Sequence, residues 1–71
     1  MLSKRNIRTS RHGDMQLVNK KTGMYLNFAT RKVAERNAKQ YTQLLGQNIT
    51  VFEHKHAHGS SFVLNAETII L

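Results

Sequence analysis

Three alternating histidines form the densest group of chemistry-bearing side chains in this sequence. They lie in residues 54–58, which read His-Lys-His-Ala-His. Residues two apart on a strand point the same way, so His54, His56 and His58 are candidate ligands for zinc or nickel. Gly59 and two serines follow, which favours a loop, and no Asp or Cys joins the group nearby. We therefore predict no resident metal; a polar hairpin tip, or histidines that add positive charge when protonated, are the other interpretations.

Catalytic groups are scarce. The sequence has no cysteine and only four acidic residues, with no two acids close together. His58 beside Ser60 and Ser61 has the residue types of a base and a nucleophile, but no oxyanion-binding element accompanies them. The glycines are scattered and form no phosphate-binding loop: Gly13, Gly23, Gly46 and Gly59. We predict that the protein is not an enzyme and uses no cofactor.

Positive charge is the dominant property of the sequence. Eleven Lys and Arg residues against four Asp and Glu residues give a formal net charge of +7. Such a charge attracts a polyanion, so the favoured partner is nucleic acid, DNA or RNA, with an acidic protein as another candidate. The same charge also serves solubility alone. The sequence has no apolar run that predicts a membrane span and no cysteine, which favours a cytoplasmic setting without a membrane partner.

The cations fall into three groups. One lies in residues 1–13, one in the turn after residue 18, and one along the polar side of a predicted helix; we term the last group, Arg31, Lys32, Arg36 and Lys39, the helix row. These cations and one aromatic residue are the predicted nucleic-acid contacts: Lys4, Arg5, Arg8, Arg11, Lys20, Lys21, Tyr25, Arg31, Lys32, Arg36 and Lys39. We expect the end of the second strand, the first helical amides and Arg31 with Lys32 to converge on one phosphate.

Two regions must position these residues. Residues 1–13 are predicted to be a flexible basic arm, and residues 14–71 a single α+β domain. Residues 15–18 and 24–28 read as two strands joined by a turn that ends at Gly23. Thr30 can cap a helix over residues 31–45, and Gly46 can end it. Strands at 48–54 and 62–64, separated by a turn at 55–61, follow the helix.

The predicted order β-β-α-β-β indicates a two-layer α+β fold, in which one antiparallel-type sheet of about four strands has a single covering helix. Alternation assigns one set of residues to the core with the apolar side of the helix: Met15, Leu17, Met24, Leu26, Phe28, Ile49, Val51, Phe62 and Leu64. The opposite side carries Gln16, Val18, Tyr25, Asn27, Thr50, Phe52, His54 and Val63. That side could stack unpaired bases, form a homodimer, or be covered by the apolar residues 69–71.

Residues 28–35, Phe-Ala-Thr-Arg-Lys-Val-Ala-Glu, resemble the strand-to-helix junction of the small arm-type DNA-binding domains of phage-like integrases. In those domains a three-stranded sheet precedes a C-terminal helix and reads the major groove. The resemblance implies Lys21, Tyr25 and Asn27 as readers of DNA. This sequence departs from the pattern, because two predicted strands precede the helix and two follow it.

Two functional hypotheses follow. The first is a small basic accessory protein, of phage-like or similar type, that binds nucleic acid by phosphate contacts from the arm, the hairpin turn and the helix. The alternative is a protein-interaction module or inhibitor of a larger protein, which docks by its sheet face or an edge strand. Salt dependence separates them, because phosphate contacts weaken steeply as salt rises.

Overall fold

The computed structural model describes residues 6–71, so Lys4 and Arg5 of the predicted arm lie outside the described residues. The elements follow in the order β1 (Ile7–Thr9), β2 (Leu17–Asn19), β3 (Asn27–Phe28), α1 (Arg31–Leu45), β4 (Thr50–His56) and β5 (Gly59–Asn65). The α+β class is confirmed. The single four-stranded sheet is not, because the described residues form a two-stranded sheet, β1-β2, and a three-stranded antiparallel sheet, β3-β5-β4.

The helix has the predicted limits. The Thr30 hydroxyl accepts a hydrogen bond from the Val33 amide (3.3 Å), which satisfies one of the free donors of the first turn. At the other end Gly46 adopts φ 72°, a left-handed conformation that costs glycine little, and donates to the Thr42 carbonyl (3.0 Å). Ala34, Ala38 and Tyr41 are its buried residues and face the sheet.

The predicted arm does not extend to Gly13. Ile7 and Thr9 are buried, and β1 pairs antiparallel with β2 through Ile7–Asn19, Arg8–Val18 and Thr9–Leu17. Residues 7–9 alternate apolar, charged and β-branched side chains, which suits a half-buried strand. The described part of the arm therefore belongs to the folded domain.

The predicted hairpin is present in shortened form. Asn19 donates to the Met24 carbonyl (2.9 Å), Leu26 donates to the Leu17 carbonyl (3.0 Å), and Val18 bridges Tyr25. Beyond this point the chain leaves β2, and β3 pairs with β5 through Asn27–Val63 and Phe28–Phe62. A second bridge, Gln16–Asn65, links β2 to β5, so the two sheets are joined.

The turn predicted at residues 55–61 is wrong. β4 continues to His56 and β5 begins at Gly59, so only Ala57 and His58 connect them. This segment is polar, which is typical of a loop. A two-stranded ribbon with both sides in water is held by backbone hydrogen bonds, however, so it can form without an apolar face.

The core lies between α1 and the side of the sheets that carries Leu17, Phe62 and Leu64. It comprises Ile7, Leu17, Ala34, Ala38, Tyr41, Ile49, Phe62, Leu64 and Ala66. Leu26, Phe28 and Val51 pack at its edge, as their alternation predicts. Met24 is a wrong core assignment, since it is 68% exposed beside the turn. Within residues 6–71, no helix is both long enough and apolar enough to cross a bilayer.

Candidate nucleic-acid interface

One side of the sheets is not covered by α1. In the three-stranded sheet, Asn27, Val63 and Phe52 pair directly and share one side. The neighbouring row, Phe28, Phe62 and Glu53, lies on the helix side, where Arg31 contacts both Phe62 and Glu53. We call the uncovered side, which carries Tyr25, Asn27, Phe52, His54 and Val63, the open face. The pairing agrees with the side predicted for these residues.

The open face presents two separate aromatic rings. Phe52 is 52% exposed and Tyr25 is 39% exposed, although both are large hydrophobic residues. Val18 and Val63 share this side but are buried. The surface therefore has a closed apolar floor and two rings that remain accessible, the form of a stacking surface.

A basic concavity adjoins Tyr25. Arg8 and Tyr25 both pair with Val18, so the three side chains lie on one side. The concavity has a volume of about 190 Å³ and is lined by Arg8, Ser10, Arg11, His12, Val18, Gly23 and Tyr25. We call it the basic cleft. It brings two predicted contacts from the arm, Arg8 and Arg11, next to a third, Tyr25.

Hydrogen bonds fix the position of Tyr25. Its hydroxyl lies 3.1 Å from the Ser10 hydroxyl and donates to Asp14 Oδ2 (3.2 Å). Burial acts to raise the pKa of Asp14, but hydrogen bonds from the Gln16 amide, Ser10 and Tyr25, together with nearby His12, lower it overall. Asp14 is therefore ionised at neutral pH, and its negative charge lies next to the Tyr25 hydroxyl and near His12.

Lys20 and Lys21 lie in the turn that follows β2, and both are exposed. The Asn19 side chain accepts from the Lys21 amide (2.8 Å), and the Lys20 amide donates to the Asn6 carbonyl (2.7 Å). These bonds place the turn beside the start of β1. The turn therefore lies at the end of the β1-β2 sheet where Ile7 pairs with Asn19, whereas Arg11 follows Thr9 at the other end.

The helix row does not join them. Arg31 donates to Glu53 Oε1 (3.0 Å), in the one salt bridge found among residues 6–71, and its guanidinium lies 5.1 Å from the centre of the Phe62 ring. Thr30 occupies the Val33 amide. Two of the donors expected to converge on one phosphate, Arg31 Nη2 and the Val33 amide, are therefore engaged by the chain's own groups, while the convergence itself stays a prediction.

Lys32, Arg36 and Lys39 are exposed on α1, whereas Ala34, Ala38 and Tyr41 face the sheet. The outer side of α1 and the open face are opposite sides of the two layers. The cations of the helix row and those of the basic cleft therefore lie on opposite sides of the molecule.

The histidines do not assemble into a metal site in the described part of the chain. His54 and His56 are exposed residues of β4, and His58 lies in the following turn. No group of three or more His, Cys, Asp or Glu residues among residues 6–71 has the geometry to hold a metal ion.

The C-terminal residues do not cover the open face. Ile70 is half-buried against the core, and its backbone pairs with Thr9 of β1. Residues 69–71 and β1 border an adjacent pocket of about 350 Å³, which Arg8 and Arg11 share with the basic cleft. Sequence reasoning missed both concavities, although the alternation of Ile7, Arg8 and Thr9 was a signal for the strand that builds them.

Comparison of this chain with protein-family models, with curated proteins and with solved structures finds no match.

Proposed function

We propose that this protein binds nucleic acid through its open face and basic cleft, with unpaired bases on Tyr25 and Phe52 and phosphates on Arg8 and Arg11. The observation that carries the proposal is the position of Tyr25. Its ring lines the basic cleft, and it lies two residues before Asn27, which pairs into the row that holds Phe52. Stacking groups and cations are therefore neighbours on the side that α1 leaves uncovered.

A single strand suits this surface better than a duplex. Exposed aromatic rings stack on base faces, at about 1–3 kcal/mol per base, and base pairing in a duplex hides those faces. The net charge of +7 supplies the long-range attraction. Lys20 and Lys21 are exposed in the turn whose Gly23 lines the cleft, and they add positive charge on that side of it. The helix row, on the opposite side, contributes mainly through this long-range field.

A binding titration tests the proposal. Labelled single-stranded DNA, single-stranded RNA and duplex DNA of equal length are titrated at about 50 and 200 mM salt, because each phosphate contact adds about 0.7 to the log–log salt slope for single strands. We expect the single strands to bind more tightly than the duplex, with affinity that falls steeply as salt rises. A flat salt response, or tighter duplex binding, contradicts the proposal.

Two double variants with the same loss of charge locate the surface. Arg8→Gln with Arg11→Gln removes two cations from the basic cleft, and Arg36→Gln with Lys39→Gln removes two from the helix row. We expect the first pair to weaken single-strand binding more and to lower the salt slope by about 1.4, for two contacts at 0.7 each. Equal effects of the two pairs would indicate attraction by net charge alone.

The alternative function, a small protein-interaction module that docks by an edge strand, has a candidate surface as well. Among residues 6–71, β4 pairs only with β5, so its other edge is open. A groove of about 460 Å³ lies between this edge and α1, bordered by Glu35, Lys39, Thr42 and residues 48–51, with Ala38 at its base. An extended segment of a partner can add to such an edge through backbone hydrogen bonds.

The edge-strand function has a different experimental signature. A complex formed along β4 keeps its affinity at raised salt and in a Tyr25→Ala variant. Thr50→Glu with Lys39→Glu weakens it, because a segment seated in the groove would bury both carboxylates without partners of opposite charge. The test needs a partner protein recovered from a cell extract. Its affinity for this protein is then measured with both proteins purified. Nucleic-acid binding is expected to show the reverse pattern.

A further inference from the structure

The basic cleft is a partly open concavity with room for a ligand. Its volume of about 190 Å³ equals roughly six water molecules at their liquid volume of about 30 Å³ each, enough for one small polyatomic anion and water. Arg8, Arg11 and His12 contribute two guanidinium groups and an imidazole from five consecutive positions. Planar guanidinium groups match phosphate oxygens in paired hydrogen bonds, so the lining has the chemistry of a phosphate site.

The backbone around the cleft is held in place. The Ser10 hydroxyl accepts from the His12 amide (3.1 Å), and Ser10 itself donates through its backbone to the Gln16 carbonyl (2.8 Å). Arg8 Nη1 donates a hydrogen bond to the Thr9 carbonyl (3.0 Å). This bond orients the guanidinium and leaves its other donors for a ligand. A site whose groups are already positioned loses less entropy when it binds.

We propose that the basic cleft is a phosphate subsite, in which Arg8, Arg11 and His12 hold one phosphate group while the attached nucleoside lies against Tyr25. The part of this inference that concerns a nucleic-acid ligand rests on the proposed function. The phosphate can come from a strand terminus, from an internal phosphodiester or from free phosphate. Asp14 faces the Tyr25 hydroxyl, so its negative charge disfavours an anion on that side and directs the phosphate towards the two arginines.

The test is amide correlation NMR on the full chain. The probes are inorganic phosphate, thymidine monophosphate, and a thymidine oligonucleotide with and without a terminal phosphate. We expect saturable shifts confined to the amides of residues 10–13 and 23–25. The two oligonucleotides separate the sources: tighter binding of the phosphorylated strand assigns the site to a terminal phosphate, and equal binding assigns it to an internal phosphodiester.

Arg11→Gln is the main variant, because Arg11 is exposed and makes no hydrogen bond among the described residues that the fold requires. It should weaken phosphate binding by about tenfold or more, the equivalent of one charge-assisted hydrogen bond. Lys39→Gln, with the same loss of charge on α1, is the matched control and should change binding less than about twofold. The spectra themselves report whether each variant is folded.

The outcomes separate the two proposals. If phosphate shifts the cleft amides but the oligonucleotides do not bind, the phosphate subsite stands and the proposed function fails. If the oligonucleotides bind while phosphate and thymidine monophosphate produce no shifts in the cleft, the subsite is overturned and the function stands. Shifts spread over α1, or equal losses in the Arg11 and Lys39 variants, also overturn the subsite.

Discussion

Thr9 and Ile70, 61 positions apart, are joined by three hydrogen bonds. The Thr9 amide donates to the Ile70 carbonyl (2.9 Å), and the Thr9 hydroxyl accepts from the Ile70 amide (3.0 Å) and donates to the same carbonyl (3.2 Å). β1 is therefore held on one edge by β2 and on the other by the C-terminal segment. Arg8 and Ser10, which line the basic cleft, are the direct neighbours of Thr9.

Thr9→Val tests how much this link stabilises the fold. Valine has a similar shape but cannot bond the Ile70 amide, so we expect the free energy of unfolding to fall by about 1–3 kcal/mol. In a domain of this size the melting temperature should fall by about 4–8 °C per kcal/mol, measured by circular dichroism. Thr50→Val, at an exposed site of β4, is the control and should have little effect. A similar loss in both variants would contradict the link.

Asn65→Val is expected to stabilise the protein. Asn65 Oδ1 is buried without a hydrogen-bond partner, and a polar atom in that state costs about 1–3 kcal/mol. Valine removes the atom and suits a strand position, so the urea midpoint should rise by the equivalent of about 1 kcal/mol. Asn27→Val, exposed on the same side of the sheet, is the comparison. A lower midpoint for Asn65→Val than for the wild type would show that the amide makes a favourable interaction.

Glu53 should make stability dependent on pH. The Ser60 hydroxyl donates to its Oε2 (2.7 Å) and is the main cause that holds the pKa of Glu53 below its usual value; Lys55 and Arg31 act in the same direction. Because the folded pKa is lower than the unfolded one, this stabilisation is present above the ordinary value of 4.5 and is lost as pH falls through the folded pKa. Melting temperatures between about pH 6 and pH 3 measure it.

Glu53→Gln should flatten that pH dependence. Asp14, whose pKa is also lowered, keeps part of the acid sensitivity in the variant. Glu35→Gln, on the exposed side of α1, removes one carboxylate at another site and is the control. If the Glu35 and Glu53 variants show equal pH profiles, the hydrogen bond from Ser60 and the ion pair with Arg31 do not contribute to stability.

Phe52 provides the test of stacking. Phe52→Ala should weaken single-strand binding by about 5- to 150-fold, the range that corresponds to about 1–3 kcal/mol for one stacked base. Phe52→Tyr keeps the ring and should bind within about twofold of the wild type. Fluorescence anisotropy at fixed salt gives both affinities. Equal affinities of the Ala and Tyr variants would remove Phe52 from the interface.

The predictable parts of this fold depend on local signals. Thr30, Gly46 and the apolar side of residues 31–45 lie in one segment, so capping and period sufficed to predict α1. Period-two alternation also assigned Phe52 and Val63 to the correct side. Alternation wrongly predicted that Met24 is buried, because a residue beside a turn can point to the core side and still lie beyond the area that α1 covers.

The basic cleft could not be predicted in the same way. β1 has only three residues within a basic segment, and its stability comes from pairing with β2 and from Thr9 contacting Ile70 near the other end of the chain. Charge composition alone favoured an arm. Composition likewise predicted that Arg31 is unpaired, because its partner Glu53 is 22 positions away in the sequence. Both errors concern contacts between residues distant in sequence.

The ribbon formed by the last residues of β4 and the first of β5 has a practical consequence. Residues 54–59 are exposed and lie outside the core cluster, and Ala57 and His58 form their tight connection. A fluorophore or a short peptide tag inserted between Ala57 and His58 should leave the domain folded, as such tips tolerate insertion. The protein thus carries a labelling position remote from the basic cleft, from which ligand engagement can be followed without altering Arg8, Arg11 or Tyr25.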